Sequence, residues 1–379
     1  MSINETLTTL IAAGNEMTGV WQPILFRLNN EADKAAVEKL FVEGKIVRAI
    51  ESTGTQVEEI ENIKDPSKIT HASEMGQTKT AHISAEEGVW VFYPWHATLV
   101  HIVDEVDYAT LRAARNEPLI TKDEHAKILP LSIAFAGLNV GNPCAVCAAL
   151  EAAGQNGLIK LADFDSLSVT NLNRFRAGLS DLETNKAFIT ARQIFEINPF
   201  ANIEMYPKGI APESVDAFLA GPKVDILVEE IDNLKLKIVL REKARDLRIP
   251  VIMVTGDGEN VILDIERYDL DPTTPILNGY LSDETKNAIA AVVPGQGTFE
   301  ERVMLARDFM GKEGELNDRL YGSFSAVGKT LAGIPQLAES SFCRGAVIAH
   351  AIRMIATKSE SVASGRYRYV LSDVVTKKT

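Results

Sequence analysis

The sequence is poor in cysteine, in basic residues relative to acidic ones, and in long apolar runs. Three cysteines in 379 residues build no disulfide framework. One C-x-x-C (Cys144, Cys147) and a solitary Cys343 leave a four-cysteine zinc site incomplete. Lys plus Arg total 39 against 52 for Asp plus Glu, a formal net charge of −13. That balance argues against broad electrostatic capture of nucleic acid or of an anionic membrane face, while leaving room for one local basic pocket for phosphates. No apolar run approaches the roughly 20 residues of a membrane span. The opening Met1-Ser-Ile-Asn-Glu5 lacks the basic and apolar regions of a signal peptide. A cytoplasmic protein is expected. Its composition, 46% hydrophobic and 24% charged, is that of an ordinary globular chain, and its length suggests two or three domains at roughly 150 residues each.

Residues 1–118 read as an N-terminal α/β accessory module. Residues 31–42 have a helical pattern, Gly88–Pro94 and Thr98–Val103 have strand patterns, and residues 51–88 are polar and expected to be rich in loops. Trp95 and His96 sit beside strand aromatics, where a histidine is more often structural than catalytic. From Leu129 strands and helices alternate, which implies a parallel sheet with crossover helices. Strands are expected at Ile133–Ala136, Leu158–Ala162, Ile203–Met205, Val224–Val228 and Pro250–Thr255. Helices are expected at Thr184–Ile197, Pro212–Ala220 and Leu234–Leu247. Asn142 suits an N-cap, Pro143 a first helical position and Gly154 a helix stop. Residues 119–268 therefore form a doubly wound, Rossmann-like α/β domain, with its ligands expected at the carboxyl ends of the strands. Residues 269–379 form a C-terminal segment packed on it, punctuated by Val293-Pro-Gly-Gln-Gly297 and closed by a helix near Gln336–Ala356 and a strand near Tyr367–Leu371.

The loop Gly137-Leu-Asn-Val-Gly-Asn142 joins a strand to a helix, where backbone N–H groups and the helix dipole can meet a phosphate. It is a degraded G-x-G-x-x-G with Asn139 at the second glycine. Asp163 ends the next strand, the distance downstream at which a ribose-binding acid belongs. So far a nicotinamide or flavin oxidoreductase fits as well as anything. The run Ala162-Asp-Phe-Asp-Ser-Leu-Ser-Val-Thr-Asn-Leu-Asn-Arg174 then adds acids, amides and an arginine, and Lys186 follows at a helix start. Cations there suit an enzyme that splits ATP between its α and β phosphates. The strand tip Val228-Glu-Glu-Ile-Asp-Asn233 supplies an acid of the kind that holds Mg²⁺ on phosphates.

Together these pieces make residues 129–268 resemble the ATP-binding domain shared by ThiF, MoeB and the ubiquitin-activating enzymes. The pieces are the glycine loop at 137–141, Asp163-Phe-Asp165, Asn171-Leu-Asn-Arg174, Lys186 before a helix ending Ile197-Asn-Pro199, and Ile231-Asp-Asn233. The resemblance implies ATP and Mg²⁺ as cofactors and adenylation of a carboxylate, giving acyl-AMP and pyrophosphate. The acceptor would be the C-terminus of a ubiquitin-like protein or a small-molecule carboxylate. It also implies a nucleotide cradle of Gly137, Asn139, Gly141, Asp163, Asp165 and Asn171. Asp163 would hold the ribose, Asn171, Arg174 and Lys186 the phosphates, and Asp232 the Mg²⁺. A further arginine, Arg115 with Arg112 as the spare, would act across a homodimer. A bacterial branch with a Tyr-Pro-Trp element in an N-terminal module is similar at Gly88–Trp95, Arg115-Asn116, Ala162–Asp165 and Pro335-Gln336.

The chain also departs from the family pattern. Asn139 replaces a glycine, and Phe175 stands where many members carry Gln. The zinc-binding cysteine pairs are missing, and no cysteine lies in 269–300, so no thioester relay is expected. The span from Ile231 to Gly256 is similar as well to a dehydratase acting on modified tRNA, a version that the −13 charge weakens. A silent nucleotide-binding scaffold is the third alternative. Cys144 and Cys147 are read as small helix-packing residues ahead of redox chemistry, and Arg366 and Arg368 as surface charges.

Overall fold

The structure, a computed structural model, describes residues 3–68, 82–291, 298–357 and 362–371; the Val293–Gly297 punctuation lies outside them. The chain divides into two compact units, Met1–His125 with Ala191–Ala201, and Ala126–Thr190 with Asn202–Thr379.

The first unit holds α1 (Ile3–Thr18), β1 (Ile24–Phe26), α2 (Glu31–Val42), β2 (Arg48–Glu51), α3 (Thr53–Lys64), β3 (Val89–Tyr93), β4 (Thr98–Ile102) and α4 (Glu105–Ala113). Its sheet runs in the order β1-β3-β4-β2, antiparallel except for the β2–β4 pair. Successive side chains of a strand face opposite ways, and here both faces are apolar. Phe26, Phe92 and Leu99 pack under α2, while Val89, Val91 and Ile102 pack with Tyr108 of α4. Asn30 and Asp104 cap α2 and α4, accepting from Ala32 N (2.9 Å) and from Val106 N (3.0 Å). The stretch read as loop-rich contains α3, whose polar sequence carries no clear apolar period because only Thr53, Gly54 and Ile60 are buried. Trp95 Nε1 donates to Glu196 Oε1 (2.6 Å), which also meets His96 Nε2 at 2.8 Å, a structural use of both rings.

A short helix, α5 (Lys122–Ile128), leads into the second unit. There follow β5 (Ser132–Ala136), α6 (Leu138–Leu150), β6 (Leu158–Ala162), α7 (Lys186–Ile197), β7 (Ile203–Tyr206), α8 (Val215–Ala220), β8 (Ile226–Glu229), α9 (Leu234–Asp246), β9 (Val251–Asp257) and β10 (Asn260–Glu266). After them come α10 (Asp283–Ala291), α11 (Phe299–Met310), α12 (Asp318–Ser323), α13 (Ala338–Ala356) and β11 (Gly365–Tyr369). The strand order is β11-β10-β9-β8-β5-β6-β7. The five strands from β9 to β7 are parallel, and β10 and β11 are antiparallel additions at one edge. The fold is therefore the doubly wound, mostly parallel α/β sheet expected. The chain runs outward from β5 through β6 to β7, then returns to the other side of β5 as β8. That reversal opens a crevice at the strand ends. β5 is buried on both faces, as a central parallel strand must be. On one face Val215, Phe218, Leu236 and Leu240 of α8 and α9 cover Ala134 and Ala136. α6 and α13 pack together, at a separation only a glycine allows. A Cβ on Gly345 would come within 2.6 Å of Pro143 O.

Two expectations fail here. α6 starts at Leu138 with Gly137 as its N-cap, so Pro143 lies inside the helix and Asn142 is no cap. Instead, buried Asn142 donates Nδ2 to Thr190 Oγ1 (2.9 Å) and ties α6 to α7. Nor is Arg366 a loose surface charge, while Arg368 does lie at the surface, with a buried partner. Arg366 grips the buried Asp264 (2.8 and 3.0 Å), and Arg368 Nη2 donates to the buried Asp257.

Beneath the crevice lies a fully buried ionic network. Arg241 donates to Glu229 and to Glu266 (Nε, 2.7 Å), Lys237 Nζ donates to Glu229 (3.0 Å), and Tyr268 Oη donates to Glu266 (2.6 Å). Burial alone would favour neutral Glu229, but the Lys237 and Arg241 charges hold it below its ordinary 4.5. Its contribution is thus present above that pH and is lost as pH falls through the depressed value. Arg241→Ala leaves buried Glu266 without a cation and Glu229 with Lys237 alone, and is expected to cost about 3–5 kcal/mol. The difference should be measured as a lower urea midpoint at pH 7, and an unchanged midpoint would refute it.

Candidate functional site

The crevice is built from three strand exits. β5 ends in Gly137, whose φ of +84° turns the chain directly into α6. A Cβ there would lie 2.5 Å from Glu230 O, because the exit of β8 passes beneath it. Only glycine satisfies both conditions. β6 ends in Asp163, which is buried. Its Oδ2 accepts from Leu138 N (2.6 Å) at the α6 start, and its Oδ1 accepts from Asp165 N (2.8 Å). Burial pushes this carboxyl above its usual range, and the two backbone N–H bonds only partly offset that. Each oxygen retains a second lone pair for a hydroxyl donor.

Around these exits lies a cavity of ≈ 460 Å³, lined by Gly137, Asn139, Asp163, Asp165 and Asp232 among others, with Arg302, Leu305 and Ala306 of α11 along one wall. The structure thus brings five of the residues singled out from the sequence to one cavity. Phe164, 73% exposed, packs against Gly209 in its wall. Lys186 begins α7 and is buried, its Nζ paired with Asp165 Oδ2 at 3.0 Å. Gly141 faces the Glu230 side chain. Asn139 carries a buried Oδ1 without a partner.

Asn171 and Arg174 do not line that cavity. Asn171 Oδ1 accepts from Ser168 N and Oγ (both 3.1 Å), stapling its own loop. Arg174 Nη1 donates to Thr170 O (3.0 Å) and Asn173 Oδ1 (2.8 Å), and its Nε is buried without a partner. Burial and the neighbouring Arg344 charge lower its pKa, and Asp232 opposes them. The loop leans on the start of α13 through Asn173 Nδ2 donating to Gln336 O (3.0 Å) and Ser341 Oγ donating to Arg174 O (3.0 Å). Phe175, where the family pattern has Gln, is buried with Leu167 and Ile189. Arg115 is exposed and Arg112 half-buried; both belong to the first unit.

A second cavity of ≈ 160 Å³ shares Glu230, Ile231, Asp232, Leu234 and Ala306 with the first. Its walls add Met253, Thr255, Gly256, Phe309, Met310 and Arg344. Glu230 and Arg344 were missed from the sequence. The strand period offered a signal for Glu230, since adjacent acids at a strand tip must face opposite ways. Arg344 stands alone in the apolar run Ser340–Ile348, and only the packing of α13 reveals where it points. Burial pushes Glu230 up to about 8, and its Oε1 accepts from Val254 N (2.7 Å). The cysteines of α6 offer no reactive thiol. Burial drives Cys144 well above its ordinary value and Cys147 to about 11.

A doubly wound domain with a glycine turn at its central strand, and acids at the two flanking strand tips, belongs to the Rossmann-like class. More narrowly, residues 113–280 match the ThiF family, and the chain carries a ThiF-family domain. Over 283 residues it is 36% identical to an uncharacterized protein of Mycobacterium tuberculosis (strain CDC 1551 / Oshkosh), covering 75% of this chain and 38% of that protein. The chain therefore spans well under half the length of this relative. Over 175 residues it is 26% identical to the molybdopterin-synthase adenylyltransferase of Haemophilus influenzae, covering 46% of this chain and 69% of the relative. Over 161 residues it is 29% identical to the tRNA threonylcarbamoyladenosine dehydratase of the same organism, covering 41% and 60%. The family relatives thus include adenylyltransferases. Among the described residues no helix is long and apolar enough to cross a membrane.

The folded pKa of Glu230 lies above its ordinary 4.5. The stability linked to it is therefore complete below that pH and is lost as pH rises through about 8. Glu230→Gln is expected to match wild type in thermal unfolding at pH 4 and to exceed it at pH 9. Parallel pH profiles would overturn the assignment.

Proposed function

We propose that the chain adenylates a carboxylate with ATP and Mg²⁺, releasing pyrophosphate. The observation that carries this reading is the convergence of Gly137, Asp163, Asp165 and Asp232 on one cavity. Its volume, ≈ 460 Å³, is in the range of small-ligand sites. Asp163 accepts from the ribose hydroxyls. The α6 N-terminus, Asn139 and Lys186 face the phosphates. Arg174, with donors to spare, neutralises charge developing on the α-phosphate and the leaving pyrophosphate.

One oxygen of the substrate carboxylate attacks the α-phosphorus in line, and the bond to the pyrophosphate oxygen breaks. No protein nucleophile is needed, so catalysis is positioning and charge stabilisation. Among the described residues no three His, Cys, Asp or Glu side chains gather to hold a metal unaided. A single exposed carboxylate, Asp232, is instead the donor set of a Mg²⁺ shared with substrate phosphates. Bound there, the ion would neutralise phosphate charge. The adenylyl acceptor is a small-molecule carboxylate or the C-terminus of a ubiquitin-like protein, and Arg115 acts across a homodimer.

Calorimetry with ATP and Mg²⁺ should show binding that Asp163→Ala weakens at least about tenfold. ATP–pyrophosphate exchange with an accepted carboxylate should vanish in Asp232→Ala and Arg174→Ala. Normal exchange in both variants, or tighter binding of NADH than of ATP by wild type, would sink the reading.

A further inference from the structure

We propose that the smaller cavity receives the acyl substrate, that Arg344 pairs with its carboxylate, and that the substrate is a small carboxylic acid with an apolar body. This deepens the adenylation reading and rests on it for the role of the larger cavity.

Arg344 is only 3% exposed, yet it lines this cavity. Nε makes a long bond, 3.3 Å, to Ser340 O of its own helix, and Nη2 is buried without any partner. A buried guanidinium with an open donor is costly to keep. Five donors in a rigid fork match the planar oxygens of a carboxylate. The backbone leaves room for the group, because a Cβ on Gly256 would stand 3.4 Å from Nη1 and 3.0 Å from Ser340 Oγ.

Glu230 acts on Arg344 only through space, without an ion pair, and its Oε1 accepts from Val254 N. Burial also keeps it largely neutral at pH 7. Beside the polar Thr255, Gln336 and Ser340, and Lys237, which is paired with Glu229, the remaining wall carries the apolar side chains of Val140, Met253, Phe309, Met310 and Ile334. Such a wall suits an alkyl or aryl body; a glycine tail has nothing to bury there. The cavity meets the larger one at Asp232. With one carboxylate oxygen on Arg344, the other supplies the electron pair for the new bond to the α-phosphorus. The electron pair of the broken bond departs on pyrophosphate, and nothing is oxidised or reduced.

The test is calorimetric titration of the full chain, without nucleotide, with butyrate, benzoate, their amides and a hexapeptide ending in Gly-Gly. At least one acid should bind wild type, with its amide weaker by about tenfold or more. Arg344→Gln should weaken that acid to the level of the amide. Arg344→Lys, which keeps the charge and loses the fork, should fall between. ATP affinity should be equal in all three proteins. Four results would overturn the proposal: no acid binding wild type, equal acid binding by Arg344→Gln, tighter binding of the peptide than of every acid, or loss of ATP affinity in Arg344→Gln. Should that variant not fold, a crystal structure of wild type with benzoate decides, by whether the carboxylate sits on Arg344 or elsewhere. Failure of the adenylation reading would look different: wild type would not bind ATP, while acid binding would still depend on Arg344.

Discussion

The crossing of two chain segments at Gly137 governs the crevice. The exit of β8 passes so close beneath this residue that no side chain fits. The turn it makes is open only to a backbone with positive φ. Because the turn is that abrupt, α6 begins one residue after β5 ends and its first N–H groups point into the crevice. Asp163 then completes the junction by accepting from Leu138 N. The central strand, the helix N-terminus and the tip of β6 are locked into one unit by a hydrogen bond and a steric veto.

Electrostatics adds a second layer. An acid-rich chain places a few of its cations where low dielectric makes them effective. Lys237 and Arg241 are spent on Glu229 and Glu266 under the crevice floor. Lys186 is held by Asp165 at the cavity wall. Arg174 and Arg344 differ from these, because each keeps a buried nitrogen without a hydrogen-bond partner and burial lowers the pKa of each, with the Arg344 charge adding to the effect on Arg174. Two neighbouring guanidinium groups with open donors describe a place prepared for an anion.

The sequence spoke most clearly where backbone chemistry is local. Gly137, Asp163 and Asp232 were legible because strand tips in a doubly wound sheet have fixed duties, and β6 was read to the residue because its five residues are all buried. The start of α6 was misread because Pro143 obeys a local preference for first helical turns, whereas the real start is dictated by Glu230, almost a hundred residues later. β10 passed unnoticed for a similar reason. Its apolar run is broken by Asn260, Asp264 and Glu266, whose side chains accept from Leu371 N just beyond β11, from Arg366 of β11, and from Arg241 of α9 with Tyr268. Arg344 needed the packing of α13 on α6 before it could be placed. What sequence could not convey was partnership across distance.

Glu229 and Glu230 stand side by side in the chain, and the pleat sends them to opposite fates. Two cations keep the first ionised, while burial keeps the second largely protonated at neutral pH. The strand thus acts as a sorter of protons, assigning opposite charge states to identical side chains by parity alone. A slip of one residue in this register would move one glutamate into the other's place and bring Val228 or Ile231 into the place it left, so that either Lys237 and Arg241 or Val254 N would lose its carboxylate. The alignment of β8 with β5 is in that sense also a specification of where negative charge is allowed.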